Sequence, residues 1–278
     1  MRETIQSFLT NRSFLAGLIL VLVLVVLAVL AGVIAPEEKV YRIDLKQSLQ
    51  PPSLSHPFGT DHLGRDVFAR VIHGIRIAFR IVLVVVVVES LIGVPLGILA
   101  GYWGGRVENV ISGLTDTVWA FPPIVLALGI VLILGPSILV VALAIAAVSW
   151  APFTKTIQGK TKSIMTSEYI DATRALGASA LHIIVRHILP NVAPTALVLA
   201  ALTVPSAILS ATSLSFLGLG AQQPMPEWGL MISEGKDYLL KAPWIVTFPG
   251  IFIVLMSLAF NLLSDGLRDI LDPRLKTL

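Results

Sequence analysis

The chain has 278 residues, 55% of them hydrophobic and only 13% charged, with a formal net charge of +3 and no cysteine. Soluble domains carry about 25% charged residues, so a large water-facing globule is excluded. Disulfide frameworks and thiolate metal sites are excluded too, and the lysines and arginines fall in connections instead of forming a nucleic-acid-like stripe.

From the N-terminus, Arg2 and Arg12 precede an apolar run, Phe14–Ile34. It exceeds the roughly 7–15 residues of a signal-peptide core and matches the roughly 20 of a membrane span, so it predicts a first transmembrane helix. A connection with Pro51-Pro52 follows, and then further apolar stretches: Ile77–Gly101, Val110–Leu134, Ser137–Phe153, Leu189–Leu209 and Trp244–Leu263. Valine runs such as Val82–Val88 favour strands in water. In lipid the backbone must satisfy its own hydrogen bonds, which selects helices unless a barrel closes. The lack of period-two alternation excludes the barrel. The expectation is an all-α membrane protein of about six transmembrane helices. Spans three and four should form a tight hairpin at Gly135-Pro136. Two units are expected: residues 1–76 (tail, first helix and outer connection) and 77–278 (a five-helix core carrying an inner loop, 155–190).

An even number of spans puts both termini on one side. With that side inside, eleven Lys/Arg lie inside and nine outside, a slight majority that decides little.

Several residues stand out along this plan. Glu89 sits among valines within span two, and an intramembrane acid is by default a functional candidate, here for the translocation pathway. A structural hydrogen bond to a neighbouring helix is the plainer alternative. Asp116 reads as interfacial, and Pro122-Pro123 should kink span three. Gly93, Gly97 and Gly101 form a small-residue ridge suited to close helix packing, within the chain or against a partner subunit. Asp61, Arg65, Asp66 and Arg70, at spacings near i,i+4, read as a salt-bridged outer lip. With Glu227 and Trp228 they are candidates for extracytoplasmic contact. His56, His62 and His73 share one connection and His182 and His187 lie five apart; neither grouping has metal-site spacing, and no metal site is expected.

The inner loop is the most informative stretch. Ser167 can cap a short helix with Glu168 and Asp171 in its first turn, Arg174 lies near its end, and Gly177 can supply a left-handed stop. Ser179 can cap a second short helix running toward Pro190. Both helices are expected to lie across the membrane surface.

The run Glu168-Tyr169-Ile170-Asp171-Ala172-Thr173-Arg174-Ala175-Leu176-Gly177, continuing to Leu189-Pro190, resembles the EAA loop of ABC importer permeases. Thr173 and His187 depart from that pattern. His56–Arg70, Ser213–Gly220 with Pro224–Gly229, and Ser264–Asp269 through Asp272-Pro273-Arg274 are similar to segments of the C-type dipeptide/oligopeptide/nickel permeases, so the resemblance covers nearly the whole chain.

It implies a type I (MetI-like) permease bundle. The partners implied are a homologous second permease, two cytoplasmic ABC ATPases, an extracytoplasmic solute-binding protein and membrane lipid, with no nucleic acid. Glu168, Tyr169, Asp171, Ala172, Thr173, Arg174, Gly177, Leu189 and Pro190 are the residues implied in ATPase coupling. ATP and magnesium would bind the partner ATPases, since this chain has no Gly-x-x-x-x-Gly-Lys-Ser/Thr loop. The chain would be non-catalytic, with both termini cytoplasmic in a bacterial or archaeal inner membrane. Peptides, nickel complexes and glutathione-like solutes are all carried by similar permeases. An ion-coupled secondary transporter is the rival from another class, although no inverted repeat is visible.

Overall fold

The computed structural model describes residues 10–271; Arg2, the Asp272-Pro273-Arg274 motif and Lys276 lie outside them. The elements within are helical, and the sole β feature among the described residues is an isolated bridge between Thr60 and Asp66.

Helix α1, Arg12–Ile34, begins at Asn11, whose side chain accepts a 2.8 Å bond from Phe14 N–H. A short α2, Glu37–Tyr41, and a 3₁₀ turn, Leu45–Gln47, follow. Helix α3, Val67–Trp103, starts ten residues before the expected span because Asp66 caps it, bonding Ala69 N–H at 2.8 Å. The unit boundary expected after residue 76 therefore falls inside a continuous helix.

The expected single span 110–134 is two helices, α4 (Gly105–Trp119) and α5 (Pro123–Leu134), bent by 85°. Two successive prolines remove two N–H donors and push the preceding residues out of the helical region, so the ladder stops and restarts. Gly135, at φ +91°, then turns the chain into α6, Ile138–Met165, which gives the expected hairpin. Helix α6 continues twelve residues past the expected end at Phe153, so the inner connection is much shorter than 155–190.

That connection contains α7, Glu168–Ala175. A four-residue α8, Ala180–Ile183, passes through a π segment, Ile184–Ile188, into α9, Leu189–Phe216. The second surface helix is thus corrected to the opening turns of a span running Ala180–Phe216. Pro190 brings no N–H to the ladder, and the slip to Leu189 N–H donating to Ile184 O absorbs that loss. Helix α10, Trp228–Gly235, and α11, Trp244–Leu271, complete the order. Five helices are long and apolar enough to cross a membrane, or six if the bent pair is one span.

Helices α3 and α6 form the central pair. A Cβ built on Gly93, Gly97 or Gly101 would lie 2.9 Å from Phe153, 2.7 Å from Ile157 or 2.5 Å from Thr161. The glycine ridge is therefore filled from within this chain. Gly17 and Gly266 likewise let α1 and α11 meet backbone to backbone, since a Cβ on either would lie within 3 Å of main-chain atoms of the other helix.

Candidate functional site

At one end of the bundle, α7 lies across the helix termini. Ile170 is its anchor, fully buried with Ile98, Ile157, Ile164, Ile183 and Ile188. A single deeply set isoleucine on an eight-residue helix leaves most of the remaining side chains outward. Glu168, Tyr169, Asp171, Ala172 and Arg174 are all exposed and Thr173 is half-buried. Arg174 stands 3.8 Å from Asp171 and 5.8 Å from the centre of the Tyr102 ring, a cation–π contact that ties the helix to the end of α3.

Helix α7 ends in a Schellman motif: Ala178 N–H donates to Thr173 O (3.3 Å) and Gly177 N–H to Arg174 O (2.9 Å). Gly177 has φ +80°, the left-handed conformation that only glycine adopts freely. Ser179 then caps α8 through His182 N–H. Leu189 and Pro190 do not join α7; they are exposed in the first turn of α9.

Residue typing alone missed Leu176, 89% exposed, and Leu181, 71% exposed, which place bare apolar surface on either side of the glycine elbow. The signal available was their position flanking Gly177, a place where polar residues would suit a solvated turn. Two ion pairs brace this end: Lys155 to Asp116 at 3.0 Å, and Lys162 to Glu108, to which Gln158 also donates at 3.0 Å.

The opposite end is closed by a polar cap. Arg65 Nε contacts Asp61 at 2.6 Å, and the same guanidinium reaches Glu234 at 2.6 Å. Arg70 approaches Asp61 at 3.8 Å and Glu234 at 3.5 Å, and it also donates to the carbonyls of Val40 and Pro224. Asp66 holds His56 at 2.8 Å. All four expected lip residues are buried, because each charge is matched inside the cap. They correct from a surface lip to an internal ion cluster, and none offers itself for external contact.

Glu227 and Trp228 are buried as well. Glu227 caps α10 through Leu230 N–H (2.8 Å), and Trp228 donates to Val71 O (3.1 Å). Burial pushes the Glu227 carboxyl above the usual carboxylate range, although the backbone N–H groups of Gly229 and Leu230 oppose that rise. Asp61, His62 and Glu234 converge within 4.8 Å, but two arginines already neutralise the two carboxylates, so the cluster has no net charge to draw a cation.

Within the bundle, Glu89 is completely buried beside the hydroxyls of Ser149 and Thr203, which donate to the carbonyls of Ala146 and Leu199 and leave the carboxylate with these two polar neighbours but no hydrogen bond of ordinary geometry. Those two hydroxyl residues also line a cleft of about 210 Å³, together with Ser206, Ser210, Trp119 and Pro152. Glu89 therefore stands one layer behind the cleft wall and does not line it.

An all-α bundle of five long apolar helices and one bent helix pair, with a buried ionic cap at one end and an outward-facing helix at the other, is a multi-pass membrane protein. Residues 93–277 match the family described as "Binding-protein-dependent transport system inner membrane component", and residues 1–52 match "N-terminal TM domain of oligopeptide transport permease C". The chain is 40% identical over 276 residues to the dipeptide transport system permease protein DppC of Alkalihalophilus pseudofirmus, covering 99% of this chain and 90% of the relative. It is equally 40% identical to the glutathione transport system permease protein GsiD of Pectobacterium atrosepticum (99% and 92% covered) and to the di/tripeptide transport system permease protein DppC of Pseudomonas aeruginosa (99% and 93%). The chain belongs to the ABC importer permeases of the C-type dipeptide/oligopeptide/nickel family.

Proposed function

We propose that this chain is one of two permease subunits in an ATP-driven importer that moves di- or oligopeptides into the cytoplasm. The substrate class rests on relatives named for dipeptide, di/tripeptide and glutathione transport; no relative among them is named for nickel. The observation that carries the mechanism is α7, held to the bundle by Ile170 while Tyr169, Ala172 and Leu176 face outward. An exposed apolar face on a rigidly seated helix fits a docking element. Its partner is a cytoplasmic ABC ATPase, with Glu168, Asp171 and Arg174 at the rim and Gly177 fixing the elbow. Leu189 and Pro190 carry motion of that elbow directly into α9, because α8 and α9 form one span. Both termini then lie in the cytoplasm, and the ionic cap faces outward toward a solute-binding protein.

The cleft, mostly apolar but bearing the hydroxyls of Ser149, Thr203, Ser206 and Ser210, is the surface on which a second, homologous permease would complete the pathway. Glu89 lies behind it as a carboxylate available to a peptide's ammonium group once the wall opens. ATP and magnesium belong to the ATPase partners.

Vesicles holding the assembled importer test this reading through ATP-dependent uptake of a labelled dipeptide. Competition by unlabelled di- and tripeptides, but not by nickel salts, is expected. Uptake driven by an ion gradient without ATP would contradict it.

A further inference from the structure

Helix α3 carries two arginines one turn apart, Arg76 and Arg80, on the side facing α1. Arg76 donates from Nε to Ala28 O at 2.5 Å and from Nη2 to Val29 O at 3.0 Å. Those carbonyls lie six and five residues inside the end of α1 at Ile34, a depth of about 9 and 7.5 Å at 1.5 Å per residue. The guanidinium is thus within the apolar length of α1, not beyond it. Arg80 sits one turn deeper, is exposed on the outside of the bundle, and has no hydrogen bond or ion pair with any described residue. Between the two helices runs an open cleft of about 360 Å³, walled by Val25, Ala28, Val29 and Phe79 around the two arginines, with no acidic side chain in it.

A guanidinium does not lose its proton in proteins, and an unpaired cation at this depth is costly unless an anion reaches it. Water is a poor candidate there, because the exposed neighbours on α1 are Val25, Val26 and Val29. Helical side chains lean toward the helix N-terminus, so both arginines reach back toward the capped end, and snorkelling with local thinning of the bilayer brings a phosphate to them. We propose that this cleft binds the phosphodiester of a phospholipid, with an anionic headgroup preferred. Arg80 and the unbonded Nη1 of Arg76 supply the donors, in the forked geometry that suits phosphate oxygens. The acyl chains run inward from the arginines past Val25 and Leu22, which are exposed on α1. A bound lipid would join α1 to α3 where Arg76 already ties the two helices. On the orientation proposed above, the lipid belongs to the outer leaflet; binding itself does not depend on that orientation.

The test uses the full chain, purified in detergent and stripped of lipid, then titrated with phosphatidylglycerol, phosphatidylcholine or inorganic phosphate and read by native mass spectrometry. One phosphatidylglycerol should be retained per chain, more strongly than phosphatidylcholine, and inorganic phosphate should not displace it. Arg80→Gln should weaken retention about five- to tenfold, in line with the value of one basic residue near an anionic surface, while Arg80→Lys keeps most of it. Val29→Trp, at a lipid-exposed position, should obstruct the cleft with both charges intact and also weaken retention, which guards against misfolding of the Arg80 variants. Equal retention by wild type, Arg80→Gln and Val29→Trp would overturn the proposal. So would displacement by inorganic phosphate, which would mark a free-anion site. Loss of a co-purifying second permease in Arg80→Gln with lipid retention unchanged would also overturn it, assigning the arginines to a protein partner. These readouts need no transport, so they stand or fall separately from the importer reading.

Discussion

Glu227 and Glu89 are both buried carboxylates, yet their surroundings give them different consequences. Glu227 accepts a backbone bond at the start of α10 while burial raises its pKa. A carboxyl whose folded pKa lies above its unfolded value stabilises the fold most below the ordinary carboxylate range, and that contribution is lost as pH rises through the raised value. Thermal unfolding of the wild type should therefore show a cap that weakens with rising pH in this window. Glu227→Gln should flatten the dependence, and an unchanged slope would contradict the assignment. Glu89, by contrast, has two oxygens without partners, a condition that costs about 1–3 kcal/mol for a buried polar group. Glu89→Leu should raise the melting temperature while lowering peptide uptake; a lower melting temperature would mean that the carboxylate is structural. The sequence exposed Glu89 as an acid among valines, but not its surroundings, because the neighbouring hydroxyls of Ser149 and Thr203 come from helices 60 and 114 residues further along the chain.

At the scale of elements, local composition located the helices better than it located their ends. Hydropathy placed the start of α3 near Ile77, since Arg65, Asp66 and Arg70 look like water-facing residues. Their partners, Asp61, Glu234 and His56, make them burial-compatible and let the helix begin at Val67. Long-range pairing of that kind leaves no local trace. Arg65→Met would remove the closer guanidinium and leave Arg70 alone, at 3.8 and 3.5 Å, with two buried carboxylates, one of them uncompensated. A loss of about 3–5 kcal/mol is expected from such a broken buried pair, read as a lower unfolding temperature; a loss under about 1 kcal/mol, the range of exposed pairs, would disprove burial. The glycine ridge was legible as packing, though not its partner. Gly97→Leu, facing Ile157 at a Cβ distance of 2.7 Å, should cost about 1–3 kcal/mol by overpacking, and a neutral effect would place the ridge elsewhere.

For the whole molecule, the arrangement is a lever between two unlike ends. The cap is a charge-matched ionic cluster that holds the start of α3 to α10 through Arg70 and Glu234, so this end is built to stay together. The opposite end hangs one short helix on a buried isoleucine and a glycine turn, then leads through a π segment into α9. On the function proposed above, a push on α7 enters the bundle through this irregular backbone on its way to the cleft lined by Thr203, Ser206 and Ser210. The order of spans and the short helix Glu168–Ala175 were readable from hydropathy and caps. The continuity of α8 with α9 was not, because Pro190 reads locally as a stop although the π slip accommodates it.

The most direct test of this coupling is ATP-driven uptake of a labelled dipeptide by the assembled importer carrying Gly177→Asn or Gly177→Pro. Asparagine tolerates the left-handed conformation, and no atom lies within 4 Å of a Cβ at this position. Proline cannot adopt φ +80° and removes the N–H that bonds Arg174 O. Uptake should survive in the asparagine variant and collapse in the proline variant, with the chain still in the membrane in both. Equal uptake by the two would mean that the elbow at Gly177 does not transmit the work of ATP hydrolysis to the bundle.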